Sequence, residues 1–177
     1  MDVPCAPPTL ADQHPIKKSE ASDMSTLICY DGSPSAQRAL SVAASALDGA
    51  PVVLLHVWNP PQRVLADSFG VSEDSAVLNT EKLQTFVEHH ASEVIADGVA
   101  LAGRLGVSVT SRQEVNRSTV WQTILDVADE VDASLIVTGT HGSTAVQSGL
   151  LGSVSNALVH HARRPVLLVP TPAPDAA

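Results

Sequence analysis

Aromatic and basic residues are scarce in this chain. Its 177 residues include two Trp, one Tyr and two Phe, and ten Lys and Arg stand against nineteen Asp and Glu, which gives a formal net charge of −9. No basic run is longer than the pairs Lys17-Lys18 and Arg163-Arg164. Nucleic acids and anionic membranes are bound by basic surfaces. The composition therefore argues against either of them as the main partner.

Cysteines are few and long apolar runs are missing. Cys5 lies in a Pro-rich start and Cys29 in an apolar segment, so a disulfide framework is not expected and a reducing compartment fits. No apolar run reaches the ~18 residues that a membrane span needs. The N-terminus lacks the charged and then apolar layout of a signal peptide. We therefore expect a soluble, cytoplasmic protein.

What the chain does have is a regular alternation of strand and helix patterns. Strands are predicted at 26–30, 52–57, 107–115, 134–138 and 165–169, and helices at about 34–47, 80–104, 118–131 and 150–162. This order predicts an α/β fold: an open, doubly wound, Rossmann-like parallel sheet of five strands with helices on both faces. The length suits one domain, 25–170, between a disordered extension, 1–24, and a C-terminal tail, 171–177.

Local signals set the helix boundaries. Ser33 followed by Pro34 predicts a capped start for the first helix, and Ser118 or Thr119 caps the third. A long polar loop follows Asn59 and reaches about Asn79. The apolar face of the second helix is predicted from residues at helical spacing. These are Leu83, Phe86, Val87, His90, Val94, Ile95 and Leu101.

The most informative segment is Gly139-Thr-His-Gly142, nine residues, and then Gly152-Ser153-Val154-Ser155-Asn156. It follows a predicted buried strand and leads into a predicted helix. Glycines let the main chain approach a ligand closely, and N–H groups at a helix start attract anions. The pattern therefore favours a phosphate site over an ordinary loop. The hydroxyls of Ser153 and Ser155 are suitable donors to phosphate, although simple N-capping explains them equally well.

The same segment resembles the nucleotide-binding signature of the universal stress protein family, in its ATP-binding branch. The resemblance covers about 25–170. Its other parts are Thr26-Leu-Ile-Cys-Tyr-Asp31-Gly-Ser33, Val52-Val-Leu-Leu-His56-Val57 and Pro165-Val-Leu-Leu-Val169. It implies a sheet order of 3-2-1-4-5, and with it a crevice between strands one and four, where open α/β sheets bind ligands.

The resemblance also implies a binding set. Asp31, which could otherwise be a capping or turn acid, would meet the nucleoside part of ATP, and the Val57 backbone would meet adenine. Phosphates, with Mg²⁺ or Mn²⁺, would lie over Gly142 and Gly152. The remaining positions match residues that line the same cleft. The full set is Asp31, Val57, Thr138, Gly139, His141, Gly142, Gly152, Ser153, Val154 and Ser155.

Two features of this match leave questions open. His141 either touches phosphate or covers the loop. Many family members carry a basic or long polar residue after the second glycine of the motif, whereas this chain has Ser143-Thr144, which puts the affinity in question.

Nothing in the sequence forms a dedicated catalytic site. There is no Walker A motif, since Gly98-Val-Ala-Leu-Ala-Gly103-Arg lies on a helical pattern, and no Gly-x-Ser-x-Gly elbow. Cys29 has no evident activating base. Adjacent pairs at His89-His90 and His160-His161 do not share a helix face, so solvated histidines are expected there rather than metal ligands. His56 is expected to be buried with a backbone partner.

Three functions remain open from these residues. The leading one is an ATP-binding regulator of the stress response with at most slow hydrolysis, because no arginine finger or base is evident. The others are a phosphohydrolase or nucleotidyltransferase on the same fold, and an interaction module that binds no nucleotide. The family resemblance further implies a homodimer through the edge strand 165–169, unless the tail or the last helix covers that edge.

Overall fold

The computed structural model describes residues 25–47, 50–63, 80–142 and 151–170. Predictions for 1–24, 171–177, most of the loop up to Asn79, and Ser143-Thr144 lie outside these ranges. The strands are β1 Ser25–Cys29, β2 Val52–Trp58, β3 Val109–Val115, β4 Ala133–Gly139 and β5 Val166–Val169. The main helices are α1 Pro34–Ala46, α2 Thr80–Arg104, α3 Val120–Glu130 and α4 Ser153–His161.

The five strands form one parallel sheet in the order β3-β2-β1-β4-β5. The predicted fold class and strand order are therefore confirmed. β1 lies at the centre, with Cys29 opposite Leu55 of β2 and Ile28 opposite Val137 of β4. A parallel sheet needs crossovers that cover its faces, and the four helices provide them.

Neighbouring strand residues point to opposite faces of the sheet, and this alternation divides the core in two. Ile28, Leu54 and Val137 pack against α1 and α2. The residue next to each of them along the chain packs on the other face, against α3 and α4. These are Leu27, Leu55 and Ile136.

Helix starts follow the predicted capping chemistry at two places. The Ser33 hydroxyl accepts a hydrogen bond from Ala36 N at 3.1 Å, and Pro34 occupies the first helical position of α1. At α3, Thr119 and not Ser118 is the cap, and its side chain accepts from Gln122 N. Capping by these hydroxyls satisfies N–H groups that have no partner inside the helix.

The buried face of α2 matches the prediction only in part, since Ile95 is buried as predicted but two other predicted residues are not. Phe86 is 67% exposed and His90 is exposed. The buried stripe consists of small and branched residues at helical spacing, Ala91, Ile95, Gly98 and Ala102. At Gly98 an added Cβ would lie 2.8 Å from Leu54 Cδ2 and 2.9 Å from the Tyr30 ring. The small residues of this stripe allow α2 to approach the sheet closely, and the larger Val94 and Leu101 of the predicted face pack beside it.

The two edge strands differ in character. β3 carries Arg112, whose Nε lies 2.7 Å from Glu114 Oε1 and whose guanidinium also pairs with Glu130. β5 is the four-residue apolar strand Val166–Val169, preceded by Pro165 and followed by Pro170. Within the described ranges, no helix combines the length and apolarity needed to cross a bilayer.

Candidate functional site

A cleft of about 660 Å³ opens at the carboxyl ends of β1, β2 and β4, between α2 and α3. From β1 the chain crosses to one face of the sheet through α1, and from β4 to the other through α4. The cleft therefore lies at the switch point where open α/β sheets bind ligands. Every residue of the predicted binding set lines it: Asp31, Val57, Thr138, Gly139, His141, Gly142, Gly152, Ser153, Val154 and Ser155.

One end of the cleft, called here the helix end, is formed by the start of α4 and Gly142. Gly152 is the N-cap of α4 and makes no side-chain capping bond. Its own N–H donates to Thr140 O at 2.8 Å. The N–H groups of Ser153, Val154 and Ser155 have no acceptor within the helix, because they belong to its first turn. This end therefore offers main-chain donors and the positive end of a helix dipole.

A side chain in place of Gly152 would crowd the helix end. A Cβ there would lie 3.2 Å from Thr140 O, and the Cα of His141 would be 3.5 Å away. A larger side chain would press on these main-chain atoms and on the approach to the α4 donors.

The two predicted hydroxyl donors are placed differently. Ser153 is exposed at the cleft. Ser155 is only 4% exposed, and its Oγ donates to Gly139 O at 2.8 Å. The Ser155 side chain thus points back to the end of β4, and its hydroxyl proton is already used in a hydrogen bond. Its backbone N–H is the group that remains available at the start of the helix.

His141 connects the glycine loop to the cleft. Its Nδ1 lies 3.0 Å from Thr140 Oγ1. Its Nε2 is buried and has no hydrogen-bond partner among the described residues. A buried polar atom without a partner costs free energy, and a ligand in the cleft could supply the missing bond.

The opposite end, called here the strand end, is the main chain of β2 at Val57. Tyr30 N donates to Leu55 O at 2.8 Å, and Asn116 N donates to Trp58 O at 2.8 Å. In a parallel sheet, the N–H and C=O of one residue both point to the strand on one side, and those of the next residue point to the strand on the other side. Leu55 and Val57 therefore face the β1 side, where β1 has already ended at Cys29. The N–H and C=O of Val57 are thus directed into the cleft.

His56 keeps this edge open. Its Nδ1 lies 2.8 Å from Tyr30 O, and because a carbonyl only accepts, Nδ1 carries the proton. In a ladder that continued, Tyr30 O would accept from the Val57 N–H, so the imidazole takes the place of that donor. His56 is 8% exposed, and burial lowers its pKa below the ordinary 6.5, which favours the neutral ring. The expected buried histidine with a backbone partner is confirmed, but its effect on Val57 was not predicted.

Asp31 lies between the two ends. Its Oδ1 accepts from Ser33 N at 3.0 Å, and its Oδ2 lies 3.1 Å from the place that a Cβ would take at Gly142. Among the described residues that line the cleft, it is the one carboxylate, and Lys and Arg do not occur. Burial, with a smaller contribution from Asp31, raises the pKa of Cys29 to about 12, so this cleft-lining thiol stays protonated.

Three histidines of the described helices lie at the surface. His89 Nε2 and His90 Nδ1 lie 3.4 and 3.7 Å from the carboxylate of Glu93, and the His161 ring stacks on Trp121 with 4.5 Å between centroids. In the described part of the chain, no three or more His, Cys, Asp and Glu side chains come together in a group able to hold a metal.

Comparison with known proteins agrees with this geometry. The model of the universal stress protein family matches residues 24–170. A universal stress protein of Thermus aquaticus is 34% identical over 147 residues, which cover 81% of this chain and 96% of that protein. One from Mycolicibacterium smegmatis is 29% identical over 151 residues, covering 84% of this chain and 49% of that protein. The chain thus spans nearly the whole of the first relative and about half of the second.

Solved structures share the fold. The hypothetical protein MJ0577 superposes with a TM-score of 0.67 at 23% identity, over 85% of this chain and 97% of that one. An Archaeoglobus fulgidus universal stress protein in complex with dAMP gives 0.56 at 24% identity, over 82% and 97%. A universal stress protein in complex with cAMP gives 0.57 at 23% identity, over 82% and 96%. With its sheet order, its switch-point cleft and the family match over residues 24–170, this chain belongs to the universal stress protein family.

Proposed function

We propose that this protein binds an adenine nucleotide in the cleft, ATP with Mg²⁺ or Mn²⁺ in particular, and acts as a nucleotide-dependent regulator of the stress response. The observation that carries the proposal is that one cleft joins an open strand edge at Val57 to the helix start at Gly152. Two proteins of this fold are described as complexes with cAMP and dAMP, which supports an adenine nucleotide as the ligand class.

The strand end fits a base. A main-chain donor and acceptor on one residue, Val57, complement the acceptor nitrogen and the neighbouring amino group of adenine. The carboxylate of Asp31, between the two ends, can accept from ribose hydroxyls, as acids do beside dinucleotides in related folds. The flanking apolar residues Val120 and Ile124 of the cleft wall suit the faces of a purine.

The helix end fits phosphate. The first-turn N–H groups of α4 are donors, and the buried Nε2 of His141 lacks a partner in the described structure. Thr138 and Gly139 form the floor at the end of β4. The cleft volume of about 660 Å³ lies within the usual range for small-molecule sites. Mg²⁺ and Mn²⁺ prefer oxygen ligands, and the phosphates themselves would supply them, because the described residues form no group of three or more His, Cys, Asp and Glu side chains able to hold a metal. Such an ion would neutralise phosphate charge.

Catalysis is not expected to be fast. Fast phosphoryl transfer depends on a group that orients the nucleophile and on cations at the transferred phosphate. The described cleft offers neither an arginine nor a lysine. We therefore propose at most slow ATP hydrolysis and a regulatory role. We also propose that the protein acts in the cytoplasm.

Nucleotide released from the freshly purified, denatured full-length protein tests the assignment. Mass spectrometry should detect an adenine nucleotide at a substantial molar ratio, and calorimetry should show that the emptied protein binds it again. Failure of the emptied protein to bind any adenine nucleotide would favour an interaction module. Metal-dependent turnover of ATP at many cycles per second would favour an enzyme instead.

We also propose that two copies pair through the edge segment 165–169, which contains β5. This edge strand is apolar and lacks the charges that usually protect an open edge, while the prolines on both sides limit pairing to a short register. On α4, which packs against β5, Val159 is 50% exposed. Edge-to-edge pairing of identical strands closes a two-fold dimer.

Replacing Leu167 with Asp tests the dimer. In a pair, the charge would oppose its own copy or be buried without a partner, so sedimentation should show at least a tenfold weaker dimer. The matched control is Thr110→Asp on the opposite edge strand β3, which should leave the dimer intact. A wild-type protein that is monomeric at micromolar concentration, or a fully dimeric Leu167→Asp variant, would contradict the proposal.

A further inference from the structure

A second groove, called here the α3–α4 groove, lies between α3 and the end of α4, with a volume of about 390 Å³. One wall is the face of α3 from Trp121 to Asp129, and the other is formed by His161 and by Arg163 and Arg164 after α4. The Trp121 and His161 rings stack with 4.5 Å between their centroids. None of the residues that line this groove also lines the nucleotide cleft, so a chain bound here would leave the cleft free.

Two charges of the α3–α4 groove are not used by the fold. Arg164 pairs with Asp129, so these two charges compensate each other. Asp126 and Arg163 are exposed, and neither takes part in an ion pair among the described residues. The groove therefore presents one acid and one base that a bound chain can meet.

The chain enters the domain beside this groove. Ser25, the first residue of β1, lies opposite Ala133 of β4, and its hydroxyl donates to Val131 O at 2.7 Å. Arg164 donates to Ala133 O, and Val131 is the C-cap of α3, two residues after Asp129. The N-terminal stretch 1–24 is therefore attached next to one end of the groove.

The N-terminal stretch carries charges of both signs in an order that complements the groove. Counting back from the start of β1, the acids Asp23 and Glu20 come first, the pair Lys17-Lys18 follows, and Pro15 lies beyond it. From the attachment point, the groove presents its unpaired base, then its unpaired acid, and then the stacked rings. Opposite charges thus face each other in sequence, and the proline reaches an aromatic surface of the kind on which proline-rich segments dock.

The stretch is long enough for these contacts. The seven residues from Lys18 to Ser25 span about 22 Å when extended at ~3.1 Å per residue. Along α3, Asp126 lies about 7.5 Å from Val131, at 1.5 Å per residue. Polar, charged segments with few apolar residues have no core of their own and gain order on a complementary surface. Reach and composition therefore both suit docking onto the groove.

We infer that the α3–α4 groove is a docking surface for the N-terminal segment 15–23 of the same chain. Lys17 or Lys18 pairs with Asp126, and one of the two acids of the segment pairs with Arg163. The inference does not depend on the proposed function, because the groove and the cleft share no residue. The groove is then an interaction surface whose ligand is carried by the protein itself.

Carbodiimide crosslinking of the full-length protein tests the contact, because this reagent joins an amine to a carboxylate only where the two touch. Mass spectrometry should find Lys17 or Lys18 joined to Asp126. Asp97, exposed on α2, is the matched control and should give no such product. A mixture of labelled and unlabelled protein distinguishes products within one copy from products between copies. Products between copies alone, or no product at Asp126, would overturn the inference.

Charge exchange separates pairing from simple proximity. Lys17→Glu together with Lys18→Glu should abolish the crosslink. Adding Asp126→Lys to this variant should restore it, with the amine now on the helix and the carboxylate on the segment. If the crosslink does not return in the exchanged variant although the protein is folded, complementary charge is not what holds the segment.

Trypsin provides an independent measurement, because it cuts after Lys17 and Lys18 only when the segment is released. Cleavage there should be about threefold faster in Asp126→Asn and in Arg163→Gln than in the wild type, as expected for the loss of one exposed ion pair. Asp97→Asn removes the same charge as Asp126→Asn and should leave the rate unchanged. Equal rates in all four proteins would show that the segment is not docked in the groove.

Discussion

The strand end and the helix end of the cleft both present main-chain groups, but they are kept accessible in different ways. At the strand end, Val57 belongs to β2, in which Leu54 and Leu55 are fully buried. The His56 side chain donates to Tyr30 O, the carbonyl that would otherwise accept from Val57 N–H. At the helix end, access depends on Gly152, which has no side chain. The strand end is open because His56 takes a hydrogen bond that would close the ladder, and the helix end is open because glycine has no side chain.

This difference predicts how each end can be damaged. The helix end should be sensitive to any added bulk, and the loss should affect every phosphate-bearing ligand. The strand end should be sensitive to the loss of one donor, and the loss should affect only ligands that carry a base.

The largest effect is expected from Gly152→Val. A branched side chain at this position would meet Thr140 O and His141 and hold phosphate away from α4. The affinity for AMP and for ATP should fall at least tenfold, or ~1.4 kcal/mol, as measured by calorimetry. The matched control is Gly103→Val, because a Cβ at Gly103 meets nothing within 4 Å. A folded Gly152→Val protein with unchanged affinity would remove the helix end from the site.

A smaller effect is expected from His56→Leu at the strand end. Without the imidazole, Tyr30 O can accept from the Val57 N–H, so the ladder closes and the ligand loses a donor. Affinity for adenine nucleotides should fall about fivefold, which corresponds to one hydrogen bond of ~1 kcal/mol, while inorganic phosphate binding should stay the same. His56→Asn supplies an amide donor near the position of Nδ1 and should restore most of the affinity. If His56→Asn is as weak as His56→Leu, the hydrogen bond to Tyr30 is not the cause.

The smallest effect is expected from Asp31→Ala, between the two ends. Losing the acceptor for the ribose should weaken ATP a few-fold more than inorganic triphosphate, because only the nucleotide has a ribose, whereas both lose the same repulsion. Competition calorimetry compares the two ligands directly. Asp97→Ala, on the exposed side of α2, removes the same charge and should change neither affinity. Equal weakening of both ligands by Asp31→Ala would place the carboxylate with the phosphates.

The sequence patterns and the family resemblance together predicted which residues meet at the cleft. The alternation of strands and helices predicted the fold class, and the strand ends at Asp31, Val57 and Gly139 converge because parallel strands end at one edge. The strand order came from the family resemblance, since periodicity does not determine which strands are neighbours.

What could not be predicted depends on register and on close packing. The opening of Val57 requires that β1 stop opposite Leu55, a contact between residues that are 26 apart in sequence. The small members of the buried stripe of α2 were not predicted, because apolar size was taken as the signal, whereas Gly98 and Ala102 are buried by virtue of being small. The inward turn of the Ser155 hydroxyl likewise depends on where Gly139 O lies, which no local pattern specifies.

Close packing at Gly98 connects the hydrophobic core to the wall of the cleft. The helix that it seats against Leu54 and Tyr30 also carries Val87, Ala91 and Val94 of the cleft wall. Ala91 lies about two helical turns from Gly98, and Val87 about three, so a displacement of α2 at Gly98 would also move the cleft wall. A larger side chain at Gly98 is therefore expected to change the width of a cleft that this residue does not line.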